Sequence, residues 1–118
     1  MASDPAVVAK ICSLPVSFRA DGRSPLQLVA ESGYLELAES VTVARVTQFL
    51  NENPTLVDSW LSWSEDKKVS SGWYFIDTSE GFVVGYHPNG QRLVFSDKTH
   101  ACAEFIVREV ESIREAAR

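Results

Sequence analysis

Apolar positions recur at helical spacing through the first two-thirds of the chain and then switch to alternation. Val7, Val8 and Ile11 fall three or four apart, so Pro5 to Cys12 reads as one or two helical turns. Leu14-Pro15-Val16 is read as the stop, and Arg19-Ala-Asp21-Gly22-Arg23 as a turn, since Asp-Gly favours turns. Ser24-Pro25-Leu26-Gln27 is a helix start. Ser24 caps, Pro25 suits the first position and Gln27 completes a capping box. Gly33 closes that helix in a left-handed conformation. Tyr34 to Leu37 fits either an extended piece or another helical turn. Thr42 caps the next helix, whose stripe is Val43, Val46, Phe49 and Leu50. Pro54 ends it. Asn53 is then read as the cap, and Pro54 as the first residue, of a helix burying Leu56, Val57, Trp60 and Leu61.

From Ser70 the chain turns aromatic and β-branched. Trp73 to Asp77 is a strand, Thr78-Ser79-Glu80-Gly81 a turn, Phe82 to His87 a second strand, Pro88-Asn89-Gly90 a turn, and Arg92 to Phe95 a third strand. Phe82, Val84 and Tyr86 share one face. Tyr74, Ile76, Val83, Gly85, His87, Arg92 and Val94 share the other. Both sets contain apolar residues, so the pattern does not say which is buried. Gly72 and Gly85, in or beside strands, leave room for an aromatic ring or a bulge. Asp97 caps the last helix, with Cys102, Phe105, Ile106, Val110 and Ile113 on one side and Glu104, Arg108, Glu111, Glu115 and Arg118 largely elsewhere.

These elements predict an α+β fold: a three-stranded antiparallel meander packed against about four helices, the last helix following the sheet. With 118 residues the chain is read as one domain, mainly helical over 1–69, sheet over 70–96 and helix over 97–118. It is long enough to bury roughly two-thirds of its unfolded surface, so it needs no metal or disulfide to fold.

Charge narrows the partners. The net charge is −5 and the pI about 4.9. Nucleic acid is an unsuitable partner for such a chain, because phosphate binding needs a basic patch. A basic protein suits it. The acids concentrate between Glu31 and Asp66, where seven stand against a single base, Arg45. No apolar run approaches the ~20 residues of a membrane span. The first residues lack the basic and apolar regions of a signal peptide, so the expected address is the cytoplasm. In that reducing setting Cys12 and Cys102 are expected to be core residues, not a disulfide.

No reaction is specified. The two histidines, His87 and His100, sit in no motif with a serine or cysteine, and no metal-ligand spacing or glycine-rich phosphate loop occurs. The reading is therefore not an enzyme, with no cofactor. All three tryptophans lie between Trp60 and Trp73, around Glu65-Asp66-Lys67-Lys68. Trp60 is on the apolar stripe and reads as core. Trp63 is off it, and either closes the helix–sheet corner or meets a partner. Glu65 and Asp66 oppose the helix macrodipole, which calls for a counter-charge from Lys67 and Lys68 or from another protein.

The run Asn53-Pro54-x-Leu56-Val57-x-x-Trp60-Leu61-x-Trp63-Ser64-Glu65-Asp66-Lys67-Lys68-x-x-x-Gly72-Trp73-Tyr74-Phe75 resembles a group of small bacterial proteins. The run Asp97-x-x-x-Ala101-Cys102-Ala103-Glu104-Phe105-Ile106-Val107-Arg108-Glu109-x-Glu111-x-Ile113 resembles the same group. Together they cover about half the chain. The group resembles immunity proteins of bacterial toxin systems, including contact-dependent growth inhibition. Lys68 stands where the group's pattern has arginine, and the first forty residues carry no resemblance. The resemblance implies a protein that binds and neutralises a cognate toxin domain, here expected to be a basic nuclease. The residues then expected at the interface are Glu31, Glu36, Glu39, Glu52, Asp58, Glu65 and Asp66, with Tyr34 or Trp63 as aromatic anchor. The alternative reading is a small accessory or regulatory domain that binds a peptide or small ligand on the sheet face around Tyr74, Tyr86 and His87.

Overall fold

Pro15 begins a helix instead of ending one. The computed structural model describes residues 4–67, 72–87, 90 and 92–116. In it, α1 (Asp4–Cys12) is followed after Ser13 by α2 (Leu14–Asp21), with Pro15 in the first turn, where its missing N–H costs nothing. The Asp21-Gly22 dipeptide acts as a helix stop: Gly22 has φ 68° and donates its N–H to the Phe18 carbonyl. The expected turn over Arg19–Arg23 is thus mostly the end of α2. The capping box holds at α3 (Pro25–Ser32), where the Ser24 hydroxyl accepts from the Gln27 N–H and the Gln27 amide oxygen accepts from the Ser24 N–H. Gly33 closes α3 at φ 92°. Tyr34–Leu37 is one helical turn, α4, and Ala38–Ser40 a 3-10 turn.

Thr42 caps α5 (Val43–Glu52), its hydroxyl accepting from the Arg45 N–H. Asn53 does not cap the next helix with its side chain. Its Nδ2 donates back to the Phe49 carbonyl at 3.0 Å and closes α5 instead. Next come α6 (Thr55–Lys67), the strands β1 (Gly72–Thr78), β2 (Gly81–His87) and β3 (Arg92–Phe95), and α7 (Lys98–Ala116), with Asp97 accepting from the Thr99 N–H at its start. The described residues therefore hold seven α-helices, not about four. The extra ones are short. α1 and α4 match the helical turns that the pattern gives at Pro5–Cys12 and, as one of two options, at Tyr34–Leu37, whereas the pattern reads α2 as a stop and a turn; helices this short depend on packing, not propensity.

The sheet is the expected antiparallel meander, in the order β1-β2-β3. Its register pairs Phe75 with Val84 and Val84 with Leu93. Phe75 and Val84 belong to the core that α1, α5, α6 and α7 build, with Phe75 stacked on Phe105 of α7 at 5.9 Å. This settles which face is buried. The opposite face carries the row Ile76–Val83–Val94; its flanks are 38% and 45% exposed while Val83, between them, is 0%. No helix of the described residues contributes to a core there. Gly85 serves a ring: a Cβ at this position would lie 2.3 Å from the Tyr74 hydroxyl oxygen.

One edge of the sheet is closed by a side chain. The Phe75 N–H donates to the buried Ser64 hydroxyl at 2.7 Å, so it points away from β2 and into α6. That contact ties α6 along β1 and removes a donor another strand could have used.

Candidate functional site

The tryptophans knit the helical half to the sheet. Trp60 is fully buried and donates its Nε1–H to the Cys12 carbonyl at 2.8 Å. Trp63 is half-buried. Its ring lies 5.4 Å from those of Trp60 and Phe18, and its Nε1–H donates to Glu109 at 2.8 Å. Trp63 therefore packs among α2, α6 and α7, with Phe18, 40% exposed, edge-on against it. Trp73 meets Tyr86 edge-on at 5.2 Å and carries the Arg108 guanidinium 5.4 Å above its ring.

Tyr34, the other expected anchor, is only 3% exposed. Its hydroxyl donates to Glu111 at 2.5 Å. Burial, followed by the Glu111 carboxylate, pushes that hydroxyl's pKa well above its ordinary value. Glu111 is held below the usual carboxylate range, first by the Arg114 guanidinium and then by Tyr34. Tyr34 is thus spent on fastening α4 to α7, with little surface to offer a partner.

The expected acids divide into two groups. Glu31 pairs with Arg23, and Asp58 with Lys98 at 2.7 Å. Exposed pairs of this kind are worth at most about 1 kcal/mol. Glu36 on α4, Glu39 on the 3-10 turn, Glu52 at the end of α5 and Glu65 on α6 are exposed, with no ion pair among the described residues. The elements that carry Glu36, Glu39 and Glu52 all pack against α1. Glu65 lies two turns beyond Asp58 on α6, about 10.5 Å along the axis. The side chain of Asp66, and Lys68 as a whole, lie outside the described residues, as does any ion pair between Glu65-Asp66 and Lys67-Lys68.

The residues offered for a sheet-face ligand do not share a face. Tyr74 and His87 stack at 4.4 Å on the outer side, whereas Tyr86 lies on the helix side against Trp73. His100 sits edge-on to Phe95 with its Nε2 3.5 Å from Glu104. Cys12 and Cys102 are free thiols, both fully buried. Burial pushes the Cys12 thiol up to about 12 and also raises Cys102, which the charge of Cys12 raises further. Both belong to the hydrophobic core. Among the described residues no group of three or more His, Cys, Asp or Glu side chains could hold a metal ion, and no helix is long and apolar enough to cross a membrane.

Glu109 escaped the sequence reading. It is 3% exposed and accepts from Trp63. Its position carried a signal: it lies seven residues after Cys102 and four after Phe105, inside the apolar stripe.

Comparison with known proteins finds no matching family model, no matching characterised protein and no matching solved structure.

Proposed function

We propose that this chain is a non-enzymatic binding protein that neutralises a cognate bacterial toxin domain by occluding it, the partner being a basic protein such as a nuclease. The observation that carries this reading is the acidity of the stretch from Glu31 to Asp66. Seven acids and one base lie between Glu31 and Asp66, and Glu36, Glu39, Glu52 and Glu65 stand exposed without a cation among the described residues. Like charges gathered on one part of a surface without local compensation cost self-repulsion. A basic partner relieves that cost and is steered toward it. The resemblance of residues 53–75 and 97–113 to immunity proteins supports the same reading.

The test is to seek a toxin gene beside this one and to measure association of its toxic domain with this chain by stopped flow at two salt concentrations. Steering acts over roughly 8 Å at physiological salt and mainly on the association rate. Added salt slows association much more than it speeds dissociation. Reversing Glu36, Glu39 and Glu52 to lysine reproduces part of that loss and lowers protection against the toxin. Rates indifferent to salt, or a triple variant that associates as fast as the parent, would remove the mechanism.

A further inference from the structure

The two edges of the sheet differ. At β1 the Ser64 hydroxyl of α6 takes an outward N–H. At β3 no further strand follows, and among the described residues β3 packs chiefly on β2 and α7. The ladder determines what that open edge presents. The Phe75 N–H points away from β2, so Phe75 and Val84 face each other without exchanging hydrogen bonds. Val84 therefore turns its N–H and C=O toward its β3 partner Leu93, and Phe82 turns its own toward Phe95. Arg92 and Val94, the alternate residues, turn theirs outward. The Phe95 carbonyl oxygen agrees with this phase: it lies 2.7 Å from where a Cβ on Gly81 of β2 would stand. Among the described residues no bond outside the sheet ladder engages the Val94 main chain. Its side chain is 45% exposed, at the end of the Ile76–Val83–Val94 row. Charge commonly protects such an edge. The single charged residue of β3 is Arg92, and Glu80 of the same fold meets it at 3.1 Å.

We infer that β3 is a self-pairing edge, at which two copies of this chain join antiparallel about a two-fold axis through Val94 into one six-stranded sheet. In this register each Val94 N–H donates to the Val94 carbonyl of the other copy. Leu93 faces Phe95 of the second copy on the helix side, and Arg92 faces Ser96. The row Ile76–Val83–Val94 then runs on into the same row reversed, so the exposed valine gains an apolar neighbour. Neighbouring registers are poorer. Centring on Leu93 sets Arg92 against Val94 and brings the two arginines closer together. Centring on Phe95 sets Arg92 against Lys98, and like charges directly opposed are unfavourable. A two-fold contact needs a surface complementary to itself, and β3 centred on Val94 is one. A four-residue edge is far smaller than a standard interface, so the dimer is weak and depends on concentration. This inference does not rest on the toxin-binding reading.

Position 94 faces itself in this dimer, and that supplies the test. Sedimentation velocity and amide spectra of the full chain, labelled with nitrogen-15, are followed over a dilution series. The expected result is a monomer–dimer equilibrium, with concentration-dependent shifts gathered over Arg92 to Phe95 and their β2 neighbours. Val94→Lys and Val94→Glu are changes at an exposed position, and far-UV circular dichroism confirms that both variants fold. Each alone places like charges on the axis and weakens association. An equimolar mixture places opposite charges there and associates about three- to tenfold more tightly than either variant alone. A parent chain that stays monomeric up to millimolar concentration would overturn the inference. So would a mixture no tighter than its components, or a parent dimer that neither variant disturbs, since the contact would then lie elsewhere.

Discussion

Replacing Trp60 with phenylalanine separates a hydrogen bond from the bulk that surrounds it. Cys12 is the last residue of α1, where carbonyls lack partners within the helix. The Trp60 indole N–H, arriving from α6, supplies one at 2.8 Å in a fully buried setting. Phenylalanine keeps a ring against Trp63 and Phe105 but removes that donor. A buried acceptor left without a partner costs about 1–3 kcal/mol. The smaller ring leaves a void of about 40 Å³, which at about 24 cal/mol per Å³ adds about 1 kcal/mol. The total, about 2–4 kcal/mol, is a large share of an ordinary stability of about 5–15 kcal/mol, yet it leaves a folded protein to measure. Urea denaturation followed by far-UV circular dichroism reads it. With a slope of about 2 kcal/mol per molar, the midpoint falls by about 1–2 M. A Trp60→Phe midpoint within about 0.2 M of the parent would refute the reasoning. Trp60→Ala is expected to cost at least about 3–5 kcal/mol and Trp63→Ala less, since Trp63 is only half-buried. Equal losses would mean that burial does not rank these two sites.

Two further outcomes are expected. Gly85→Ala drives the Tyr74 ring off the sheet and off His87, costing about 1–3 kcal/mol, and pairing it with Tyr74→Ala makes the loss strongly non-additive in a double-mutant cycle; additive losses would show that the ring does not occupy the glycine's space. Tyr34→Phe narrows the pH range over which stability varies. Glu111 has a depressed folded pKa, so its contribution is present above the usual carboxylate range of about 4.3 and is lost as pH falls below it. The Tyr34 hydroxyl has a raised one, so its contribution is present below about pH 10 and is lost as pH rises past it. Urea midpoints from pH 3 to 11 should fall at both ends in the parent and less steeply at both in Tyr34→Phe; identical profiles would show that the Tyr34–Glu111 bond contributes nothing.

What the sequence disclosed was local. The Ser24–Gln27 box, the Gly33 stop, the Thr42 cap and the Thr78–Gly81 turn each depend on residues within four positions, and each strand lies within a residue or two of its expected bounds; most of the Pro88-Asn89-Gly90 turn lies outside the described residues. Trp60 was legible for the same reason: its place on a helical stripe is set by its own neighbours. The failures came from distance. Pro15 marks a break or a beginning depending on whether the residues beside it find a core, and Leu14 does, being almost fully buried. The buried sheet face depended on Phe105, thirty residues beyond Phe75. Of the candidate acids, exposure could be read from the polar faces. The Asp58–Lys98 pair could not, because the partners stand forty residues apart and meet only when α6 lies beside α7.

The residues of the runs 53–75 and 97–113 largely hold one another. The Trp60 and Trp63 rings meet at a tilt, Trp63 donates to Glu109, Ser64 accepts from Phe75, and Phe75 and Trp60 both meet Phe105. A pattern made of such contacts specifies a way of packing α6, β1 and α7, and packing is a property of fold before it is one of function. Glu36, Glu39 and Glu52 lie outside that pattern, exposed on α4, the 3-10 turn and α5. They are therefore free to change charge and shape without unmaking the scaffold. A protein that must match one partner and refuse its relatives gains from that separation, since specificity is a difference between affinities and needs positions where both attraction and repulsion can be written. On this division, exchanging the exposed side chains of α4 and α5 is expected to leave stability near that of the parent, while changes at Trp60, Ser64 or Glu109 lower it.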